Sequence, residues 1–291
     1  MTVIIENSQL KAEIAEYGAE LVSLKAKHSG IEYIWQGNPE FWGRHAPVLF
    51  PFVGRLKNDQ YMYQGRTYSM GQHGFARDME FNVIEHGPET ASFSLRSTDK
   101  TKENYPFDFE LVLTYELIDS RLVVHYQVEN TGAEEMLFSI GGHPAFNIPL
   151  EKDTRFEDYS VVFAPEATRV HLPLNGPYID MQNKTREQNN ARVPLTRELF
   201  KNDALVFETK GKNEYTLESE KSAHSVTLSY DNMPYVGIWS PYPKEAPFVC
   251  IEPWCGIADT TDSDGHLVRK QGINQLATGQ IFQTEYAIKV K

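Results

Sequence analysis

From residue 3 to residue 290 the chain is cut into short apolar or alternating segments, each closed by turn-forming residues, and this punctuation limits the fold more than any other feature. Segments 3–5, 10–14 and 21–26 are separated by Asn7-Ser8, Tyr17-Gly18 and His28-Ser29-Gly30, and 31–35 continues the pattern. From 80 to 128 the alternation is steady, through Phe81/Val83, 92–95, 109–117 and 122–128. Turns fall at His86-Gly87-Pro88, Asn104-Tyr105-Pro106 and Asp119-Ser120. Alternation with a period of two between such breaks is the signature of strands. Residues 61–63 and 66–69 flank Gln64-Gly65 as a hairpin would. Segments 215–217, 225–230, 235–240, 248–252 and 282–290 read as further strands. Pro165, Pro173, Gly176-Pro177 and Pro194 exclude long helices between 151 and 200, and the polar stretch 181–191 reads as an exposed loop. The run 39–55 is too rich in proline to be a central strand along its whole length. With almost no helical periodicity, no linker and no fixed repeat, the expected fold is all-β. It is one large antiparallel β-sandwich, with residues 1–291 as a single domain.

Composition bounds what such a fold can do. Apolar residues make up 41% and charged residues 23%, a globular balance, and a core of this size needs no staples. The net charge of −12 argues against nucleic acid or an anionic membrane as the main partner, while leaving room for a local basic pocket. No apolar run approaches the roughly 18 residues of a membrane span. The two cysteines, Cys250 and Cys255, have a C-x4-C spacing unlike the usual zinc pair and read as free thiols. With no signal-like start, the expected location is the cytoplasm.

Two stretches carry chemistry. In Phe138-Ser139-Ile140-Gly141-Gly142-His143-Pro144-Ala145-Phe146-Asn147, a strand runs into two glycines, a histidine and a proline. Glycine permits a turn or a close approach, and Pro144 fixes His143 at a stiff corner. A histidine with its ordinary pKa of about 6.5 exchanges protons near neutrality. In Val249-Cys250-Ile251-Glu252-Pro253-Trp254, a carboxylate ends an apolar run and is locked by a proline. A buried carboxylate is costly without a partner or a purpose.

Together with Val53-Gly54-Arg55 and His73-Gly74-Phe75-Ala76-Arg77, these motifs resemble the aldose 1-epimerases (galactose mutarotases), in that family's order and from the first quarter of the chain to the last. The spellings look most like the branch associated with bacterial lactose and galactose utilisation. The resemblance implies a single β-supersandwich, a hexose substrate and no metal or other cofactor, in a monomer or homodimer. By matching position, His143 looks like the general acid for the ring oxygen, and Glu252 like the general base for the anomeric hydroxyl. His73 and Arg55 look like sugar-binding neighbours, Asp203 like an aspartate that binds sugar hydroxyls, and Trp239 like an aromatic wall.

The chemistry suits these residue types. Opening a hemiacetal removes one proton from the anomeric hydroxyl and delivers another to the ring oxygen, with acid and base expected on opposite sides of the anomeric carbon. Each group typically contributes about 10²–10⁴-fold. Histidine and carboxylate can hold opposite protonation states and exchange roles when the ring recloses. Taken alone, several residues have plainer readings. Arg44 and Arg55 flank an apolar run and would pair with surface carboxylates, His73 would be a turn residue, Asp203 a turn cap and Trp239 core. Arg44 and Arg77 also resemble the phosphate-holding arginines of hexose-6-phosphate epimerases in the same superfamily, while Arg55 marks the free-sugar branch. Two other classes are a non-catalytic sugar-binding or regulatory protein, and a glycoside hydrolase. Retention of both His143 and Glu252 speaks against the first, and the need for two placed carboxylates against the second.

Overall fold

The computed structural model describes residues 1–187 and 191–291. Two large antiparallel sheets carry the fold. One has nine strands, in the order Arg192–Pro194, Ser160–Ala164, Asn213–Glu218, Val226–Tyr230, Ile281–Val290, Arg121–Asn130, Phe109–Ile118, Thr90–Arg96 and Asn82–His86. The other runs Thr185–Glu187, Arg169–His171, Leu205–Glu208, Tyr235–Trp239, Phe248–Cys255, Ile140–Gly142 and Val48–Leu49, with Ala145–Asn147 also paired to Phe248–Cys255. Thr2–Glu6, Leu10–Ala15 and Glu20–Ala26 form a separate three-stranded sheet. The all-β sandwich expected from the alternation is therefore present.

The pattern in the sequence explains the layers. Phe109–Ile118 alternates between buried and half-buried positions, so Phe109, Leu111, Leu113, Tyr115 and Leu117 share one face. That face joins Val249, Ile251 and Cys255 from the second sheet in one core that also includes Val3 and Val290. Each large apolar side chain buried there contributes up to about 1.5–3 kcal/mol. At Gly142 the sheets nearly touch. A Cβ there would lie 2.9 Å from the Tyr286 ring and 3.1 Å from the Tyr126 hydroxyl. At Gly141 it would lie 2.6 Å from the Trp254 indole. The two glycines thus serve close approach rather than a turn.

Phe248–Cys255 is buried at every position because both of its faces are covered. Its odd-numbered side chains Val249, Ile251 and Cys255 face the core, and Phe248, Cys250, Glu252 and Trp254 alternate to the other side. Tyr235–Trp239 pairs along its whole length from Tyr235↔Trp254 to Trp239↔Cys250. On its other edge, Ile140–Gly142 pairs with Trp254 and Cys255, and Ala145–Asn147 with Phe248 to Cys250. His143 and Pro144 occupy the break between those two partners, where the Ile251 N–H donates to the Pro144 carbonyl at 3.2 Å. Glu252 therefore does not end its strand, as the proline implies. The strand continues through Pro253, which sits at the break, where no ladder N–H is required.

As its prolines imply, the run 39–55 holds a strand only at Val48–Leu49. Two other expectations are corrected. Residues 31–35 form only isolated bridges at Glu32 and Ile34. The polar stretch 181–191 holds a 3₁₀ turn, Met181–Asn183, and a strand, Thr185–Glu187, that pairs with Arg169–His171. Polarity signalled exposure there, and an exposed edge strand is polar too. Residues 188–190 of that stretch lie outside the described residues. The Gln64-Gly65 hairpin forms as expected, with both turn residues at positive φ.

Candidate active site

The outer face of the Glu252 strand floors a cleft of about 590 Å³. His143 and Glu252 meet there, with Nε2 and Oε2 3.1 Å apart and side chains only 8% and 2% exposed. The approach lacks hydrogen-bond alignment, since Glu252 Oε2 is buried without a hydrogen-bond partner, and His143 Nδ1 on the other side of the ring is likewise unpartnered. The groups stand side by side, not across a gap as the acid–base scheme implies. Side by side is sufficient, since both reacting oxygens of a hemiacetal are on one carbon. Trp42 stacks on the His143 imidazole with centroids 4.8 Å apart, and His73 and Trp239 meet it edge-on at 5.5 and 5.8 Å. Burial pushes His143 down to about 3, with the Arg77 and Arg44 charges adding to the shift. Burial also pushes the Glu252 carboxyl well above its ordinary range, with the Asp203 charge adding to it. Both effects disfavour charge, so a proton shared by the pair is held on the carboxyl.

His73 and Arg55 are set by a second buried pair. The Gly54 N–H donates to His73 Nδ1 at 3.1 Å, and the His73 N–H donates back to the Gly54 carbonyl at 2.9 Å. Burial, then the neighbouring His143, holds His73 well below its ordinary pKa. With Nδ1 accepting, the proton of neutral His73 is on Nε2, which makes that nitrogen a donor. Gly54 has φ +73°, and a Cβ there would lie 2.5 Å from the Ala258 Cβ. The adjoining Asp259 N–H donates to the Arg55 carbonyl at 3.0 Å, and the Lys57 N–H donates to Asp259 Oδ2 at 2.9 Å. Lys270 Nζ donates to Asp259 Oδ1 at 3.0 Å and to the Ile257 carbonyl at 2.7 Å, and Lys270 and Asp259 are each 3% exposed.

The other arginines are partly committed. Arg77 Nη2 donates to the Gln72 carbonyl at 2.7 Å, while its buried Nε has no hydrogen-bond partner. Burial, then Arg44, brings the Arg77 guanidinium down to about 10. Arg44 pairs with Asp78 at 2.7 Å and is not part of the cleft wall, whereas Arg55, His73, Arg77, Asp203 and Trp239 are. Arg55 reaches Asp59 at 3.2 Å. Asp203, at φ +73°, accepts the Ala204 N–H at 2.8 Å. Burial raises its carboxyl, opposed by that bond and by the Trp239 indole.

The sequence reading thus placed seven of its eight chosen residues on one cleft. It missed Trp42, Gln72, Asp259 and Lys270. Trp42 has a signal in hindsight, an aromatic among Pro39, Gly43 and Arg44. Asp259 and Lys270 have none, because their pairing depends on a fold contact across a loop. Cys250 and Cys255 are buried and unbridged. Among the described residues no helix is long and apolar enough to cross a membrane.

Comparison with known proteins gives the family. Residues 1–273 match the family model described as aldose 1-epimerase. Two Lactococcus lactis subsp. lactis proteins named LacX, one chromosomal and one plasmid-borne, are each 32% identical over 300 residues, covering 100% of this chain and 99% of theirs. The crystal structure of a galactose mutarotase related enzyme from Lactobacillus acidophilus superposes with a TM-score of 0.98 at 43% identity, over 100% of this chain and 97% of that one. A galactose mutarotase-like protein from Lactobacillus casei ATCC 334 gives 0.92 at 37%, over all of both chains. The chain belongs to the aldose 1-epimerase family.

Proposed function

We propose that this protein interconverts the α and β anomers of a free hexose such as galactose or glucose. The observation that carries the reading is the His143–Glu252 pair, 3.1 Å apart, on the wall of a cleft that Arg55, His73, Arg77 and Asp203 also line. Sugar hydroxyls would supply the hydrogen-bond partner that Glu252 Oε2 lacks. Glu252 takes the proton of the anomeric hydroxyl while His143 delivers one to the ring oxygen, and the C1–O5 bond breaks. The aldehyde turns about C1–C2. His143 then recovers its proton and Glu252 returns its own to O1, on either face. One proton between the two groups serves both directions. The proton arrangement favoured by burial, on Glu252 and off His143, is the one that recloses the ring. Hydrogen bonds from bound hydroxyls favour the ionised carboxylate needed for opening. His73 Nε2, Arg55, Arg77 and Asp203 hold hydroxyls, Trp42 and Trp239 wall the ring, and Arg44 acts through Asp78 on Arg77.

A second reading, a hexose 6-phosphate, is favoured by the Arg77 Nε, which has no hydrogen-bond partner and only a 3.8 Å ion pair to Asp78, and by Lys201 on the cleft wall. The commitments of Arg44 to Asp78 and of Arg77 to Gln72 favour the free sugar. We further read residues 1–291 as one domain acting in the cytoplasm. One core runs from Val3 to Val290, and both thiols are unbridged. The test is NMR exchange or polarimetry on fresh α-galactose, α-glucose and their 6-phosphates, with chelator present. Faster anomer exchange of a free sugar supports the proposal. Exchange no faster than buffer for every sugar overturns it.

A further inference from the structure

Cys250 takes no part in the proton chemistry above, yet it lies against the pair that does. It precedes Glu252 by two positions on the same strand, so its side chain is on the same face of the sheet. Ligand atoms of His143, Cys250 and Glu252 all lie within 4.8 Å of one another, and all three residues are buried. Among the described residues this is the one group of three His, Cys, Asp or Glu donors that close. Donors around a tetrahedral zinc stand about 3.3–3.8 Å apart, given bonds of about 2.0–2.3 Å, so rotations of roughly an ångström close the set.

The second observation is what the donors lack. Glu252 Oε2, the oxygen that faces His143 Nε2, is buried and has no hydrogen-bond partner, so a cation there displaces no protein hydrogen bond of that oxygen. An imidazole nitrogen, a thiolate sulfur and a carboxylate oxygen are together the donor chemistry of zinc and its thiophilic relatives, not of magnesium or calcium. The Arg77 and Arg44 charges act on His143, and both side chains are already hydrogen-bonded, Arg77 to the Gln72 carbonyl and Arg44 to Asp78. His143 and Glu252 line the cleft, which supplies an entry path, while Cys250 is beneath them, packed with Trp35, Ala145 and Phe248.

We propose that Zn²⁺ or Cd²⁺ binds at His143, Cys250 and Glu252 and inhibits the protein by occupying the acid and the base at once. Binding converts the Cys250 thiol to a thiolate and the Glu252 carboxyl to a carboxylate and releases both protons to solvent, with no redox change. The fourth position opens on the cleft and takes water. Soft cations therefore inhibit where Mg²⁺ and Ca²⁺ do not.

The inference rests on the proposed function only for its inhibition readout, so the test has a second arm that does not. Co²⁺ is titrated into the full chain and the absorption spectrum followed. The expected result is one Co²⁺ per chain, with a near-ultraviolet sulfur-to-cobalt charge-transfer band that Zn²⁺ abolishes and that is missing from Cys250→Ala. In the anomer-exchange assay, Cys250→Ala keeps the basal rate, and its half-inhibiting Zn²⁺ concentration rises at least about tenfold, the least that losing a ligand should cost. A spectrum without the sulfur band overturns the proposal, as does equal zinc inhibition of wild type and variant. If the protein has no exchange activity, the function reading fails and the cobalt spectrum still decides the site.

Discussion

The cleft is built around two buried acid–base pairs that differ in one respect. Lys270 and Asp259 have their polar atoms matched. The ammonium donates to a carboxylate and a carbonyl, and the other carboxylate oxygen accepts the Lys57 N–H. His143 and Glu252 are as deeply buried but are left with an orphan nitrogen and an orphan oxygen. An unmade buried hydrogen bond costs about 1–3 kcal/mol, so such atoms persist where something other than stability selects them. The matched pair is hydrogen-bonded to the segment that carries Arg55, and the mismatched pair is the one to which the proposed function assigns the proton transfers. Satisfaction of hydrogen bonds, more than burial or charge, separates scaffold from chemistry here.

The largest effect should come from exchanging the chemistry of the mismatched pair without its shape. Glu252→Gln is expected to lower kcat by about 10²–10⁴-fold, with sugar affinity within a few-fold of wild type. Sugar binding is read by titration and turnover by NMR exchange. A kcat within a few-fold of wild type would mean that Glu252 is not the base and that the comparison fails.

The matched pair should answer in stability instead. Asp259→Ala leaves Lys270 buried and unpaired, a loss of about 3–5 kcal/mol. For large domains that lowers the Tm by roughly 2–4 °C per kcal/mol. Replacing both partners, Asp259→Leu with Lys270→Met, is expected to recover much of that loss, since apolar side chains of similar volume can replace a buried pair. A KM increase through Arg55 and His73 should remain in the double variant. Thermal melts of the single and double variants decide the point, and equal melting of both would show that the pair is not a coupled unit.

How much of this was legible in the chain follows the range of the interactions. Strand alternation is local, so the sandwich could be read from segments such as 109–117 and 122–128 without seeing a contact. His143 and Glu252 could be read because each is next to a proline and an apolar run, which makes its placement costly by accident. The break that lets Pro253 occupy a central strand could not be read, since it depends on which strands lie beside it. Asp259 and Lys270 were silent for the same reason: an acid among Gly256, Ile257 and Ala258 looks like a surface turn until the fold buries it. The 31–35 segment has strand-like residues but lacks a partner edge beyond single bridges, so propensity alone over-read it.

Arg77 sharpens the comparison from the substrate side. Its guanidinium donates to the Gln72 carbonyl through Nη2, while Nε has no hydrogen-bond partner and faces Asp78 at 3.8 Å. Loss of a charge-assisted contact is worth about 1.5–3 kcal/mol, or roughly one to two powers of ten in affinity. With a free hexose as substrate, Arg77→Ala is expected to raise KM for galactose and galactose 6-phosphate alike. A selective increase for the 6-phosphate would make the phosphorylated sugar the substrate and leave the roles of His143 and Glu252 unchanged.

The smallest effect tests the cost of the mismatch directly, through pH. Burial raises the Glu252 carboxyl in the folded chain, so between the ordinary glutamate range and the raised value the native state binds more protons than the unfolded one. Stability therefore falls as pH rises through that window. Glutamine has no proton to lose, so Glu252→Gln should melt at or above the wild-type temperature, by a margin that widens as pH rises above the ordinary glutamate range. His143 acts in the opposite direction. The unfolded histidine takes up a proton below about pH 6.5, while the folded one, held down to about 3 by burial, does not. Both proteins should therefore lose stability on the acid side as pH falls through that range, and wild type should lose more than Glu252→Gln as pH rises above the glutamate range. Melting curves from pH 4 to 9 give both slopes. If Glu252→Gln lowers the melting temperature at every pH, Glu252 stabilises the fold as Asp259 does, and the distinction between the two pairs does not hold.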